Sequence, residues 1–183
     1  MSTSEICVHD TRSEVLPMHL SLEFGIPLRL HQAVQCIRCA HCGLVTYSTP
    51  YPEKLAAAAA VYRVMMPQKL SGKEIRFIRK ALGYTAKDMA SVLEVVPETF
   101  SRWENGHAAI NPSSEKLLRI NVGIKLAQLA PAIVFNVADI VEMDIKAALK
   151  DKAEIVLDLQ LVTFKNTAQD EPREEYTPEK KAA

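Results

Sequence analysis

The run TAKDMASVLEVVPETFSRWENG, from Thr85 to Gly106, reads as two short helices joined by a tight turn. Ala86, Met89, Ala90 and Leu93 recur at helical spacing, which gives the first helix one buried face. Thr85 supplies a side-chain oxygen that can cap it. After the turn at Glu94-Val95-Val96, Pro97 stands where a helix begins and its missing N–H costs nothing. Phe100 and Trp103 then face inward, and Gly106 stops the second helix by accepting a positive φ. Glu98, Thr99, Ser101, Arg102 and Asn105 are left outside. In a helix-turn-helix the second helix lies in the major groove of DNA, so these are the candidate base readers. Lys87, at the start of the preceding helix, is placed for a phosphate. The competing reading is a helical hairpin that serves only to pack a core.

Working outward, helices are expected at about 71–82, 86–93, 97–105, 112–129 and 137–149, with Pro112 near a start and Pro131 marking an end. The fourth presents Leu117, Leu118, Val122 and Leu126, with Ile120, Ile124 and Leu129 nearby. That apolar surplus fits a homodimer seam or burial against the late helix. Glu53 to Met66 is rich in alanine and reads as a connecting helix. Before it, Leu20, Leu22 and Phe24, then Leu28 and Leu30, alternate as strands around a Gly25–Pro27 turn. Val34–Cys36 leads toward a third strand, and Leu44–Tyr47 returns as another short one. Residues 1–15 read as loose. Glu154 to Phe164 alternates as a strand that must pair with the N-terminal sheet or across a dimer, and the polar tail reads as disordered.

The expected fold is therefore α+β and mainly α. Its parts are a β unit with a knuckle (16–50), a connecting helix (51–68), a five-helix DNA-binding unit (69–130), a C-terminal helix and strand (131–165) and a disordered tail (166–183).

Of the 183 residues, 48% are hydrophobic, enough for a core, and the formal net charge is zero. The zero conceals a division. Residues 67–125 carry ten basic and six acidic side chains, whereas residues 126–183 carry seven and eleven. The basic segment coincides with the helix-turn-helix, as phosphate binding requires. No basic start followed by an apolar core opens the chain. The most apolar stretch, Leu126–Val141, is interrupted by Pro131, Asn136 and Asp139. The reading is a soluble, cytoplasmic protein without membrane contact. No glycine-rich phosphate loop or H-E-x-x-H motif is present, and the five histidines are scattered, so an enzyme is not expected.

Cys36, Cys39 and Cys42 stand three apart, with Cys7 and His9 far upstream. A C-x-x-C turn followed by glycine lets two thiolates reach one ion, as tetrahedral Zn2+ needs. Cys7, Cys36, Cys39 and Cys42 form the candidate ligand set, with His9 and His41 as alternatives. Cys36 and Cys39 can equally pack as small apolar side chains.

The helix-turn-helix, with its lead-in LSGKEIRFIRKALGY (70–84) and continuation INPSSEKLLRI (110–120), resembles the Cro and lambda-repressor superfamily of XRE-type domains. CAHCG (39–43), followed by GKEIRFIRKALG and FSRWENG, resembles the MqsA (YgiT) zinc-finger antitoxins across roughly residues 20–120. In that pattern Cys39 and Cys42 match the second of two cysteine pairs, whereas the first pair is represented here only by Cys7 and His9. The chain departs from the superfamily at Ala86 (often Gln), Glu94 (usually a turn glycine) and Val96 (usually a Ser or Thr cap). The resemblance implies a dimeric, double-stranded DNA-binding antitoxin that represses its own operon and neutralises a toxin protein through the β unit, with a structural zinc. The alternatives are a protein-interaction module with a vestigial helix-turn-helix, or a transcription factor without a toxin.

Overall fold

Apolar alternation through the N-terminal segment produces a long antiparallel hairpin, β1 (Thr11–Ser21) with β2 (Leu28–Cys39), in a computed structural model that describes residues 11–146, 154–164 and 172–179. The register runs Leu16↔Val34 and then Met18↔His31, so Pro17 faces Gln32 and Ala33 together. A proline has no N–H to give to a ladder, and the bulge falls where that donor is missing, with Gln32 at φ 52°. Val34–Cys36 is thus not a third strand but the continuation of β2 beyond a bulge. Residues 11–15, expected to be loose, lie in β1.

The other edge of β2 is shared. β3 (Val45–Ser48) pairs antiparallel with Gln35–Arg38, and β4 (Leu157–Phe164) pairs parallel with Leu28–His31. Of the two partners open to the C-terminal strand, it takes the sheet of its own chain. β5 (Arg173–Pro178) then pairs antiparallel with β4, completing a five-stranded sheet in the order β1-β2-β4-β5 with β3 beside β2. The expectation of a disordered tail from 166 is corrected here: Tyr176 is buried, and its hydroxyl donates to Pro50 O at 2.6 Å. Burial first, then the charge of Glu174, raises the pKa of that phenol and keeps it protonated. The rest of the tail, residues 166–171 and 180–183, lies outside the described residues.

α1 (Pro52–Met65) begins after Tyr51, which sits at φ 49°, with proline at its first turn. Its alanines let neighbours approach from several sides. Ala57, Ala58, Ala59, Ala60, Val61 and Val64 are all at most 1% exposed, and a helix apolar nearly all round is a buried helix. One side packs on β4 and β5 of the sheet and another on α5 (Pro112–Leu126), so that Leu28, Leu30, Leu157 and Leu159 of the sheet and Leu118 and Val122 of α5 join one continuous core with it. The expected connector is the centre of the molecule.

The turn between α1 and α2 (Gly72–Ala81) is held by two fully buried arginines. Arg63 pairs with Glu74 through two nitrogens and donates to Gln68 O and Lys69 O, each at 3.1 Å. Arg119 pairs with Glu115 at 2.7 Å and donates to the carbonyls of Val64, Met66 and Gln68. Glu115 Oε1 also accepts the Leu70 N–H at 2.9 Å. Burial lowers the pKa of Arg119, and its bond to Glu115 opposes that shift. Its guanidinium remains a cation at neutral pH.

Three further helices follow the sequence expectations closely: α3 (Ala86–Val92), α4 (Pro97–Glu104) and α5, which ends in one 3-10 turn at Ala127–Leu129. The last helix, α6 (Val137–Glu142), is shorter than the expected 137–149. Its chain turns extended at Met143, and Lys146 bridges to Gln68. Residues 147–149 lie outside the described residues. With six α-helices and a five-stranded sheet among the described residues, the fold is mixed α/β rather than mainly α.

Removing one partner of a buried ion pair strands the other charge, at a cost of about 3–5 kcal/mol. Arg119→Ala should therefore destabilise the chain by about that amount in urea, followed by the fluorescence of Trp103. Lys80→Ala, on an exposed face, should change it by less than about 0.5 kcal/mol.

Candidate nucleic-acid interface

Helices α3 and α4 are set by local chemistry at their ends. Thr85 accepts from the Asp88 N–H at 3.2 Å, and Asp88 accepts from the Thr85 N–H at 3.1 Å and its hydroxyl at 2.6 Å, a reciprocal capping box. The Thr85 hydroxyl bond, then its backbone bond, lowers the pKa of Asp88. The stabilisation is complete at neutral pH and is lost as the pH falls through that lowered value. At the other end of α3 the Glu94 N–H donates to Ser91 O (3.1 Å) and the Val95 N–H to Ala90 O (2.9 Å). This double closure needs a left-handed residue at its corner, and Glu94 fills that place at φ 53°. The same closure ends α2 and α4, but with Gly83 and Gly106 at the corner. Val96 begins α4 with no side-chain cap and is 60% exposed.

Phe100 and Trp103 are buried edge to face, with ring centroids 6.2 Å apart. Of the candidate readers, Glu98, Ser101, Arg102 and Asn105 are exposed and Thr99 is half-buried, and Lys87 is exposed on α3. Glu98 and Arg102, which could have satisfied each other one turn apart, form no ion pair among the described residues. Asn105 is committed differently. Its amide donates to Ser101 O at 2.8 Å and to Ser101 Oγ at 3.3 Å, and its oxygen accepts from Arg76 at 2.6 Å.

Arg76 belongs to a seam that sequence reasoning missed. Arg79 pairs with buried Glu104 at 2.7 Å and donates to Tyr84 O at 2.8 Å. Gly72 lies so close to the end of α4 that a Cβ would sit 2.6 Å from Trp103 O and 2.7 Å from Glu104 O. α2 is thereby locked across the C-terminal end of α4. Lys73, Arg76 and Lys80, exposed at helical spacing, make a basic stripe on α2. Their spacing of three and four residues was the signal that could have revealed it.

The cysteine knuckle is a separate feature, at the end of β2. Gly43 takes φ 72°, its N–H donates to Cys39 O at 3.1 Å, and the Cys42 N–H points at Cys39 Sγ at 3.5 Å. A tight turn with an amide directed at sulfur suits a metal-bound thiolate, so Cys39 and Cys42 fit two positions of a zinc site. Cys36 is buried three residues back along the strand, where side chains leave the opposite face. Among the described residues neither Cys36 nor His41 joins the pair in a group of three ligands. Cys7 and His9 lie outside the described residues. No helix among those residues is long and apolar enough to cross a membrane.

Residues 19–122, more than half of the chain, match the family model of MqsA, the antitoxin component of a bacterial toxin-antitoxin system. The match spans the knuckle and runs from the end of β1 into α5, and it stops short of β4 and β5. No curated protein and no solved structure matches the chain significantly.

A left-handed non-glycine residue costs roughly 1–2 kcal/mol in backbone strain. Glu94→Gly should recover about 1 kcal/mol of this in thermal or urea unfolding, part of the gain being offset by the entropy of a more flexible unfolded chain. Destabilisation by that substitution would contradict the turn geometry.

Proposed function

From its membership of the MqsA antitoxin family, we propose that the chain is a sequence-specific, double-stranded DNA-binding regulator that represses its own operon and neutralises a cognate toxin. The observation that carries the DNA-binding part is the setting of Arg102. Its guanidinium lies exposed on α4, has no ion-pair partner among the described residues, and rises from a helix that the α2 seam holds rigid. A pre-organised cation of this kind can take a guanine edge bidentately. Glu98 and Thr99 stand one turn earlier on the same helix, and exposed Val96 offers an apolar contact for a thymine methyl. Asn105 and Ser101 steady α4 through Arg76 and reach DNA only as phosphate ligands, with Lys87 and the basic stripe of α2 doing the same on the flank.

The proposed homodimer rests on α5. Leu117 and Ile124, seven residues apart on one stripe, are 38% and 65% exposed, whereas Leu118, Val122 and Leu126 between them fill the core. A two-fold seam there would pair two α4 helices for two half-sites. In the proposed zinc knuckle, Cys39 and Cys42 supply two thiolates, and the other two ligands come from Cys7, His9 and His41, because Cys36 leaves the opposite face of β2. A metal with four protein ligands is structural and ties β2 to β3. The toxin would meet the N-terminal sheet.

Gel-shift titration against the DNA upstream of its own gene tests the reading. Arg102→Ala should weaken operator binding by about 1–3 kcal/mol with an unchanged melting temperature. Lys87→Ala should weaken all sequences alike and flatten the salt dependence by about one unit. Wild-type affinity in Arg102→Ala would show that the reading face is wrong. Weak binding to every sequence by the unmutated chain would favour the protein-interaction module instead.

A further inference from the structure

On the outer face of the sheet, three side chains from neighbouring strands converge at a point that neither the DNA-binding surface nor the knuckle uses. They are His31 of β2, Asp158 of β4 and Glu179, the residue after β5. His31 Nε2 lies 3.3 Å from Asp158 Oδ1 and 2.8 Å from Glu179 Oε2, and the three ligand atoms fall within 4.8 Å of one another. The sheet register makes this meeting. Arg29 pairs with Asp158 and His31 with Gln160, so Asp158 sits diagonally from His31 on one face. The Glu179 N–H donates to Asp158 O at 3.0 Å and brings the third group alongside. Leu28, Leu30, Leu157 and Leu159 alternate with these residues and point into the core, so the cluster cannot slip register without exposing them.

The chemistry of the cluster is incomplete as a set of hydrogen bonds. One imidazole N–H serves one carboxylate well, and here two carboxylates address the same nitrogen. Arg29 Nη1 reaches Asp158 Oδ1 at 2.9 Å from a side chain that is 41% exposed, so it neutralises one of the two charges from the outer side. Among the described residues Glu179 has no lysine or arginine partner to balance its charge. The ligand edges of a tetrahedral zinc site with bonds of about 2.1 Å are about 3.4 Å long, which the His31–Asp158 separation of 3.3 Å matches. The His31–Glu179 contact of 2.8 Å is shorter and would open to that edge on binding. One imidazole nitrogen and two carboxylate oxygens suit a borderline divalent cation.

We propose that His31, Asp158 and Glu179 form a divalent transition-metal site, for which Zn2+ is the fitting ion, and that the ion clasps the C-terminal strand pair onto β2. The site is distinct from the knuckle, since it contains no sulfur, and two of its three ligands lie beyond the family match. Partial exposure leaves a coordination position for water. The ion joins residues 127 positions apart in the chain, and it stabilises the folded state by mass action because the unfolded chain does not gather these ligands.

The test uses the full chain, stripped of metal, in a Cys39→Ser, Cys42→Ser background that removes the knuckle. Calorimetric titration with Zn2+ should give one equivalent bound and a higher melting temperature. Adding His31→Ala should abolish both, and Glu179→Gln should weaken binding at least tenfold. Co2+ titration of the protein with its cysteines intact supplies a second readout should the double serine variant fail to fold. A sulfur-free site adds cobalt d–d bands without thiolate charge transfer, and those bands should vanish in His31→Ala. Absence of sulfur-free binding by both measurements, or equal binding by His31→Ala, would overturn the proposal and leave the cluster as an ion pair.

Discussion

Two guanidinium groups out of contact with water hold this molecule together. Arg63 and Arg119 reach from α1 and α5 into the short turn that leads from α1 to α2, and between them they occupy the carbonyls of Val64, Met66, Gln68 and Lys69. Each is matched by a buried or nearly buried glutamate, Glu74 or Glu115, and each glutamate in turn accepts a backbone N–H of the same stretch, from Ser71 or Leu70. The charges compensate one another where lone charges could not survive. Such pairs add little net stability over a well-packed apolar core, but they fix a geometry. What they fix here is the angle at which the helices leave the sheet.

The rest of the helical part depends on that angle. Glu74 anchors the first turn of α2 through Ser71, and the next residue, Gly72, is pressed onto the last carbonyls of α4. Arg76 and Arg79 extend the seam to Asn105 and Glu104. Rigidity thus runs from α1 through the turn to α2 and on to the helix that carries Arg102. A reading helix on a loose hairpin would have to order itself on DNA at an entropic cost. The capping box at Thr85–Asp88 and the strained corner at Glu94 make the same contribution locally.

Features governed by neighbours in sequence were legible before the structure. Thr85, Pro97, Pro112 and Gly106 announce helix ends because caps and stops depend on one or two residues. The inward positions of Phe100 and Trp103 followed from the helical periodicity. What depended on distant partners was hidden. REEYTP carries one apolar side chain that is fully buried, and its strand exists only because β4 lies beside it. Arg63 and Arg119 look like surface residues in sequence, and only their glutamates explain why they are inside. Asn105 was read as free for DNA because nothing local reveals Arg76. The convergence of His31, Asp158 and Glu179 required a parallel pairing across the whole helical part, which no local pattern encodes. The alanine run of α1 signalled a helix correctly, but composition alone could not distinguish a connector from a core.

The clamp makes a demand on a single amide. Leu70 lies in a turn, where N–H groups ordinarily exchange with solvent through small local openings. Here its N–H is buried against Glu115 Oε1 at 2.9 Å. Native-state hydrogen exchange of the full chain, resolved at this residue, tests the account directly. The Leu70 amide should be protected to the level of Leu30 in the sheet and Val122 in α5, opening only with global unfolding. Exchange at the rate of an exposed loop, or distinct opening free energies for the sheet and for α5, would contradict it.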